Sequence, residues 1–257
     1  MPDFLTAIDW TQVLPFIAIG FAAQVVDGAL GMAFGVINST LLVTVMGVPP
    51  AVASASVHAV ETFTTAASGI SHVVHRNVDW KLFRRLVIPG VIGAILGATL
   101  LSNIDASIAK PFVMAYLACI GLYLLFRAVK GRIEPRTPRV IAPLGLVGGF
   151  LDAAGGGGWG PVVTSNLLVQ GATPRTTIGT VNTAEFFLTL TISITFLTQL
   201  GWAAFTVATV GLLIGGVLAA PFGAMLAKRV PAKTLLTMVG VILIITSLFG
   251  LWRALYH

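Results

Sequence analysis

The sequence predicts an all-α polytopic membrane protein built from two inverted repeats. Each repeat is expected to hold a short re-entrant-like helix hairpin followed by three long transmembrane helices. Three observations predict this. The 257 residues are 56% hydrophobic and only 9% charged, with a mean hydropathy of +0.96, whereas a soluble domain carries about 25% charged residues. Apolar runs recur from Val13 to Leu251 with few charges inside them, the pattern of helices that satisfy their own backbone in lipid. A β-barrel would need short alternating segments, and these are absent.

The third observation is an internal repeat. A shift of 125 residues aligns Asp27 with Asp152, Phe34 with Trp159 and Gly35 with Gly160; a shift of 124 aligns Pro50 with Pro174, Glu61 with Glu185 and Phe63 with Phe187. A shift of 122 pairs Trp80 with Trp202 and Gly93 with Gly215. Matching acids, tryptophans and prolines make coincidence a poor explanation. The predicted organisation is a first repeat over 1–130, a basic linker over 131–139 and a second repeat over 140–257, together one transport domain.

In the first repeat the expected elements are 13–27, the glycine stretch, 32–47, 51–75, 82–103 and 108–128. In the second they are 138–152, a glycine stretch, 159–171, 177–199, 204–226 and 233–253. A spanning helix needs about 20 residues. The last three segments of each half reach that length, while the first two fall short and read as either a hairpin or one broken helix. Charge separates these alternatives. With hairpins, thirteen basic residues (Arg76, Lys81, Arg84, Arg85, Arg127, Lys130, Arg132, Arg136, Arg139, Arg175, Lys228, Arg229, Lys233) share one side and only Lys110 and Arg253 take the other. Cytoplasmic loops carry the excess of Lys and Arg, so the linker is expected in the cytoplasm, both termini outside, and the membrane to be a bacterial inner (plasma) membrane. The net charge of +6 then reflects orientation, and no nucleic-acid partner is expected. Cys119, alone in an apolar stretch, is expected to be a small buried hydrophobe.

The glycine stretches "DGALGMAFG" and "DAAGGGGWG" would sit at the hairpin tips, deep in the membrane. Irregular backbone is tolerated there only when buried in protein or lining a watery cavity. A helix starts after each stretch, and its unpaired N–H groups favour an anion. The expected substrate-binding groups are Gly31, Asn38, Ser39 and Ser56 in half one. In half two they are Gly156, Gly157, Gly158, Trp159, Thr164, Ser165, Asn166 and Asn182. Scattered glycines such as Gly90, Gly93 and Gly97 read instead as helix-packing positions.

Four of the nine acids, Asp27, Glu61, Asp152 and Glu185, fall inside apolar segments without a Lys or Arg beside them. Carboxyls in such places take up protons, pair, or sit in water. His58 precedes Glu61 by one helical turn, and a His–Glu pair at that spacing can hold or pass a proton. Asp27, Asp152, Glu61, Glu185 and His58 are therefore the expected proton-coupling residues. The competing roles are helix capping for the two aspartates and hydrogen-bonded struts for the two glutamates. No cofactor and no metal are expected: HExxH spacing, a Walker loop and a nucleophile–base constellation are all missing.

The stretches "DGALGMAFG", "GVPPAVASASVHAVETFTTAASGISH" and "GGGGWGPVVTSNLLVQGATPRTTIGTVNTAEFF", with the tryptophan openings "NVDW" and "LGW", resemble the sulfite exporter TauE/SafE family of membrane permeases. The resemblance covers nearly the whole chain and both repeats. Its most specific part is the glycine turn closed by a proline, Gly155 to Pro161. Val36 stands where half two has Pro161, and Leu30, Met32 and Ala33 replace glycines, so a tighter turn is expected in half one. Membership implies secondary transport, usually export, of a small sulfur oxyanion or organosulfonate. Paired broken segments in inverted halves imply a midplane site with alternating access. The alternative is a passive channel or a permease for another small anion. The expected partners are the anion, protons and the lipid bilayer.

Overall fold

A computed structural model of the chain describes residues 10–30, 32–129, 137–205, 207–229 and 232–256. Among the described residues the structure is helical, without strands. In half one the helices are α1 (Trp10–Leu30), α2 (Phe34–Thr44), α3 (Pro50–Val74), α4 (Trp80–Asn103) and α5 (Ala106–Val129). In half two they are α6 (Ala142–Gly155), a π-helical turn (Trp159–Thr164) running into α7 (Ser165–Val169), α8 (Pro174–Leu200), α9 (Val207–Arg229) and α10 (Ala232–Tyr256). A short 3-10 turn, Trp202–Ala204, leads toward α9.

The long elements start and stop within a few residues of the expected bounds, because their ends carry local signals. Pro50 and Pro174 open α3 and α8 at a position where the missing N–H costs nothing. Asp79 caps α4, its carboxylate accepting from the amides of Lys81 and Leu82. The first element differs. Instead of a short segment over 13–27, α1 runs for 21 residues, and Trp10–Asp27 is long and apolar enough to cross a membrane. Polar Thr11 and Gln12 do not break a helix, so it extends beyond the apolar run. Its counterpart α6, at 14 residues, stays short because a left-handed Gly156 ends it.

Trp80–Asn103, Ala106–Val129 and Thr176–Leu200 also meet the length and apolarity of a membrane span. Helix α3 has the length but not the apolarity, since Ser54, Ser56, His58, Glu61 and Thr65 interrupt it. It is sheltered instead: all five are buried. The outer surface carries Ile92, Leu96, Phe112, Leu122, Phe126 and Phe249, all exposed, as expected where lipid rather than water is the neighbour. Cys119 belongs to this outer face and is not buried as expected; a thiol in lipid needs no protein cover.

The two halves interlock. Helix α1 packs along α9, and α6 packs along α4, so the first helix of each half lies against the fourth of the other. Glycines permit both crossings. A Cβ on Gly20 would meet the carbonyl of Leu212 at 2.6 Å, and one on Gly145 the carbonyl of Leu86 at 2.8 Å; Gly93 and Gly97 face the carbonyls of Leu146 and Phe150 in the same way. Helix α3 pairs with α8, and α5 with α10. These repeat-equivalent helices run antiparallel: Thr62 meets Ser193, Thr65 meets Thr189, and Ser68 meets Asn182. Thr65 and Thr189 are themselves repeat equivalents, hydroxyl to hydroxyl at 3.3 Å. Gly121 and Gly240 answer each other between α5 and α10, each Cβ position facing the other's carbonyl at 2.9 and 2.8 Å.

Candidate functional site

The two glycine stretches meet. A Cβ placed on Gly35 would lie 2.8 Å from the Cα of Gly157 and 3.1 Å from Oε1 of Glu61. Backbone therefore touches backbone where the halves join, and only glycine allows that approach. Gly157 adds a φ of 140°, open to glycine alone. Ser39 of α2 donates to the carbonyl of Gly156, and Tyr116 of α5 donates to the carbonyl of Gly157 at 3.1 Å. In half one the turn keeps the same character without the glycine, since Ala33 takes a φ of 105°, a strained value for a residue with a side chain.

The aspartates cap the helices that follow. Asp27 accepts from the Phe34 amide at 3.1 Å, and Asp152 accepts from the Trp159 amide at 2.8 Å. In both repeats the bond spans seven residues. Amides at the helix starts, the expected anion donors, are thus held by a carboxylate from the same half. The protein supplies its own anion at each N-terminus.

Asp152 does more. Its Oδ2 lies 3.2 Å from Nε2 of His58, and Oε2 of Glu61 lies 3.9 Å from the same nitrogen. The other ring nitrogen fixes the tautomer. Nδ1 of His58 is 2.7 Å from the Ser54 carbonyl, which can only accept, so Nδ1 carries hydrogen. The Ser54 hydroxyl donates to the Ala153 carbonyl at 2.8 Å. That leaves Nε2 facing the carboxylate oxygen of Asp152, a geometry suited to passing a proton. His58 and Asp152, from different halves, are within hydrogen-bond distance beside Glu61. The second half has no copy of this device. Asn182 occupies the position of His58, and its amide donates to Ser68 at 3.2 Å.

Two small cavities lie here. One of about 60 Å³ is lined by Gln24, Asp27, Phe34, Glu61, Asn182 and Glu185, with Thr64 and Thr65. A second, of about 10 Å³, is lined by Asp27, Glu61, Asp152 and Glu185 together with Gly158 and Trp159. The acids separated along the chain therefore converge. The first space has room for a few waters or a small ion.

The remaining expected residues are scattered around this centre. Asn38 is buried and donates to the Phe34 carbonyl at 2.9 Å, leaving its Oδ1 without a partner. Ser56 and Thr164 are buried with unpartnered hydroxyls. Asn166 donates back to Val162 at 2.7 Å. Trp159 is fully buried, its indole donating to the Val181 carbonyl at 3.2 Å, and its ring lies against Gly90 and Gly148. Ser165 opens α7. Gly31 lies outside the described residues, as does most of the linker. Sequence reasoning missed Gln24, Ser54 and Tyr116. Gln24 sits one turn before Asp27, so an isolated polar residue in an apolar run was the available signal. Nothing local marks Tyr116.

The chain matches the family model described as Sulfite exporter TauE/SafE over residues 16–250. It is 42% identical over 245 residues to the probable membrane transporter protein YtnM of Bacillus subtilis strain 168, covering 92% of this chain and 81% of that protein. It is 27% identical over 254 residues to a probable membrane transporter protein of Xylella fastidiosa strain Temecula1, covering 92% of each. No solved structure matches the chain. With an all-helical apolar fold, paired glycine breaks and convergent buried acids already in place, this chain belongs to the sulfite exporter TauE/SafE family and is an integral membrane transporter.

Proposed function

We propose that this transporter moves a small sulfur-containing anion, sulfite or an organosulfonate, outward across the bacterial inner membrane, coupled to protons, by alternating access at a midplane site between two inverted halves. The observation that carries the reading is the His58–Asp152–Glu61 cluster at the contact of Gly35 with Gly157. It joins a proton-holding group to a helix start that favours anions, and it does so across the boundary between the halves. Antiparallel packing of α3 with α8 and of α5 with α10 supports the inverted arrangement. The thirteen basic residues that the hairpin reading of the sequence assigns to one side support a cytoplasmic linker with both termini outside.

The chemistry follows from one competition. As a carboxylate, Asp152 occupies the Trp159 amide, and Asp27 occupies the Phe34 amide. A protonated carboxyl is a weaker acceptor than a carboxylate, so proton uptake loosens the acid's hold on the amide. A substrate oxyanion can then take the place of the internal one. Anion and proton bind together, and buried negative charge does not accumulate.

The test is flux in reconstituted vesicles under an imposed pH gradient, with sulfite, sulfoacetate, taurine and sulfate compared by counterflow. Glu61→Gln and Glu185→Gln are expected to fold and to lose proton-driven flux by about a hundredfold, the range of a positioned proton-transfer group. Normal proton-driven flux in both variants, or transport indifferent to the gradient in the parent, overturns the coupling.

A further inference from the structure

A second polar pocket, of about 260 Å³, lies where the start of α4, the start of α8 and the chain leading into α6 converge. Lys81 and Arg85 stand one turn apart on its wall, both exposed. Among the described residues the only ion pairs are those of His58, so neither cation pairs with a described acid. Asp79, the one acid among the described residues lining the pocket, accepts from the amides of Lys81 and Leu82 through Oδ1. Across from it begins α8, 27 residues long, whose N-cap residue Thr173 makes no side-chain cap. Thr177 in the first turn is 1% exposed, lines the pocket, and has no hydrogen-bond partner for its hydroxyl. A buried hydroxyl without a partner is costly. Here it shares a pocket with Lys81, Arg85 and the positive end of a long helix.

We propose that this pocket is a peripheral oxyanion site, on the same side as the linker, in which Lys81, Arg85 and the Thr177 hydroxyl hold a phosphate- or sulfate-like group. The arrangement combines bidentate guanidinium recognition, a flexible ammonium and a hydroxyl donor, the chemistry of tetrahedral oxyanions. Two sources supply such a group: the phosphodiester of an anionic lipid, for which basic pockets at the cytoplasmic face are suited, or a free inorganic anion. The site shares no residue with the acid cluster and does not depend on the transport reading.

The experiment uses the full chain in nanodiscs. In neutral phosphatidylcholine discs, inorganic sulfate is titrated at constant ionic strength and the melting temperature followed. In a parallel arm, discs containing phosphatidylglycerol are examined by native mass spectrometry for retained lipid. The parent is compared with the Lys81→Gln/Arg85→Gln double variant and with Thr177→Val, which removes the hydroxyl at nearly constant volume. Sulfate stabilisation that weakens about tenfold in the double variant and less in Thr177→Val identifies a free-anion site. Phosphatidylglycerol retained by the parent and lost by the double variant identifies a lipid site. Binding in neither arm, or binding unchanged in the double variant, overturns the proposal.

Discussion

Asp152→Asn separates the two jobs of Asp152. Its Oδ1 caps the Trp159 amide and its Oδ2 faces Nε2 of His58. An asparagine reproduces both contacts with neutral groups: the amide oxygen accepts from Trp159, and the amide nitrogen donates to the bare Nε2 that the Nδ1–H tautomer presents. What it cannot do is share a proton. Charge-assisted hydrogen bonds exceed neutral ones by about 1 kcal/mol, so Asp152→Asn should cost about that much. Asp152→Ala leaves the buried Trp159 amide and His58 Nε2 unpaired, at about 1–3 kcal/mol for each orphaned group. The alanine variant should therefore lose about 2–6 kcal/mol, or roughly 4–24 °C in melting temperature at about 2–4 °C per kcal/mol. Thermal denaturation of both variants in detergent, with flux under a pH gradient, checks this. The expected result is a nearly stable Asp152→Asn without proton-driven flux and a destabilised Asp152→Ala. Retained proton-driven flux in Asp152→Asn, or equal destabilisation of the two, refutes the proposed proton-handling role of Asp152.

Gly157→Val should abolish folding rather than only block substrate, because its Cβ position faces the backbone of Gly35 and Val36 and its φ is 140°; a loss exceeding about 4 kcal/mol is expected, read as disappearance of the monodisperse peak in size exclusion, and a well-folded Gly157→Val would contradict the backbone contact. Tyr116→Phe removes the donor to the Gly157 carbonyl and should cost about 1 kcal/mol, measured by thermal denaturation. Asp105 lies outside the helices, where the hydroxyl and amide of Ser107 hold its carboxyl below the usual carboxylate range. A depressed folded value means stability present above the unfolded pKa of about 4 and lost as pH falls through the folded one. Asp105→Ala should thus melt slightly below the parent at neutral pH, with the gap narrowing as pH falls below about 4, a trend that thermal denaturation across that range will show or deny.

The four acids were legible because each interrupts an apolar run, and the repeat was legible because rare residues recur at a nearly constant offset. His58 beside Glu61 was equally readable, since helical spacing alone brings positions three apart onto one face. The outer position of Cys119 was not, because an apolar face looks the same in sequence whether protein or lipid covers it. The length of α1 escaped for a related reason: helices continue through polar residues that hydropathy treats as boundaries.

By itself the sequence determined what each segment can be: the apolar helices, the breaks between them, the doubled pattern and the chemical types at the breaks. These follow from local properties, the hydrogen-bonding needs of backbone in lipid and the conformations open to glycine. Only the tertiary structure decided which groups meet. It set Asp152 against His58 from 94 residues away, gave the helix-start amides to the protein's own carboxylates, and closed Gly35 onto Gly157. Such pairings depend on how helices from the two halves pack together, a geometry that no stretch of either half contains.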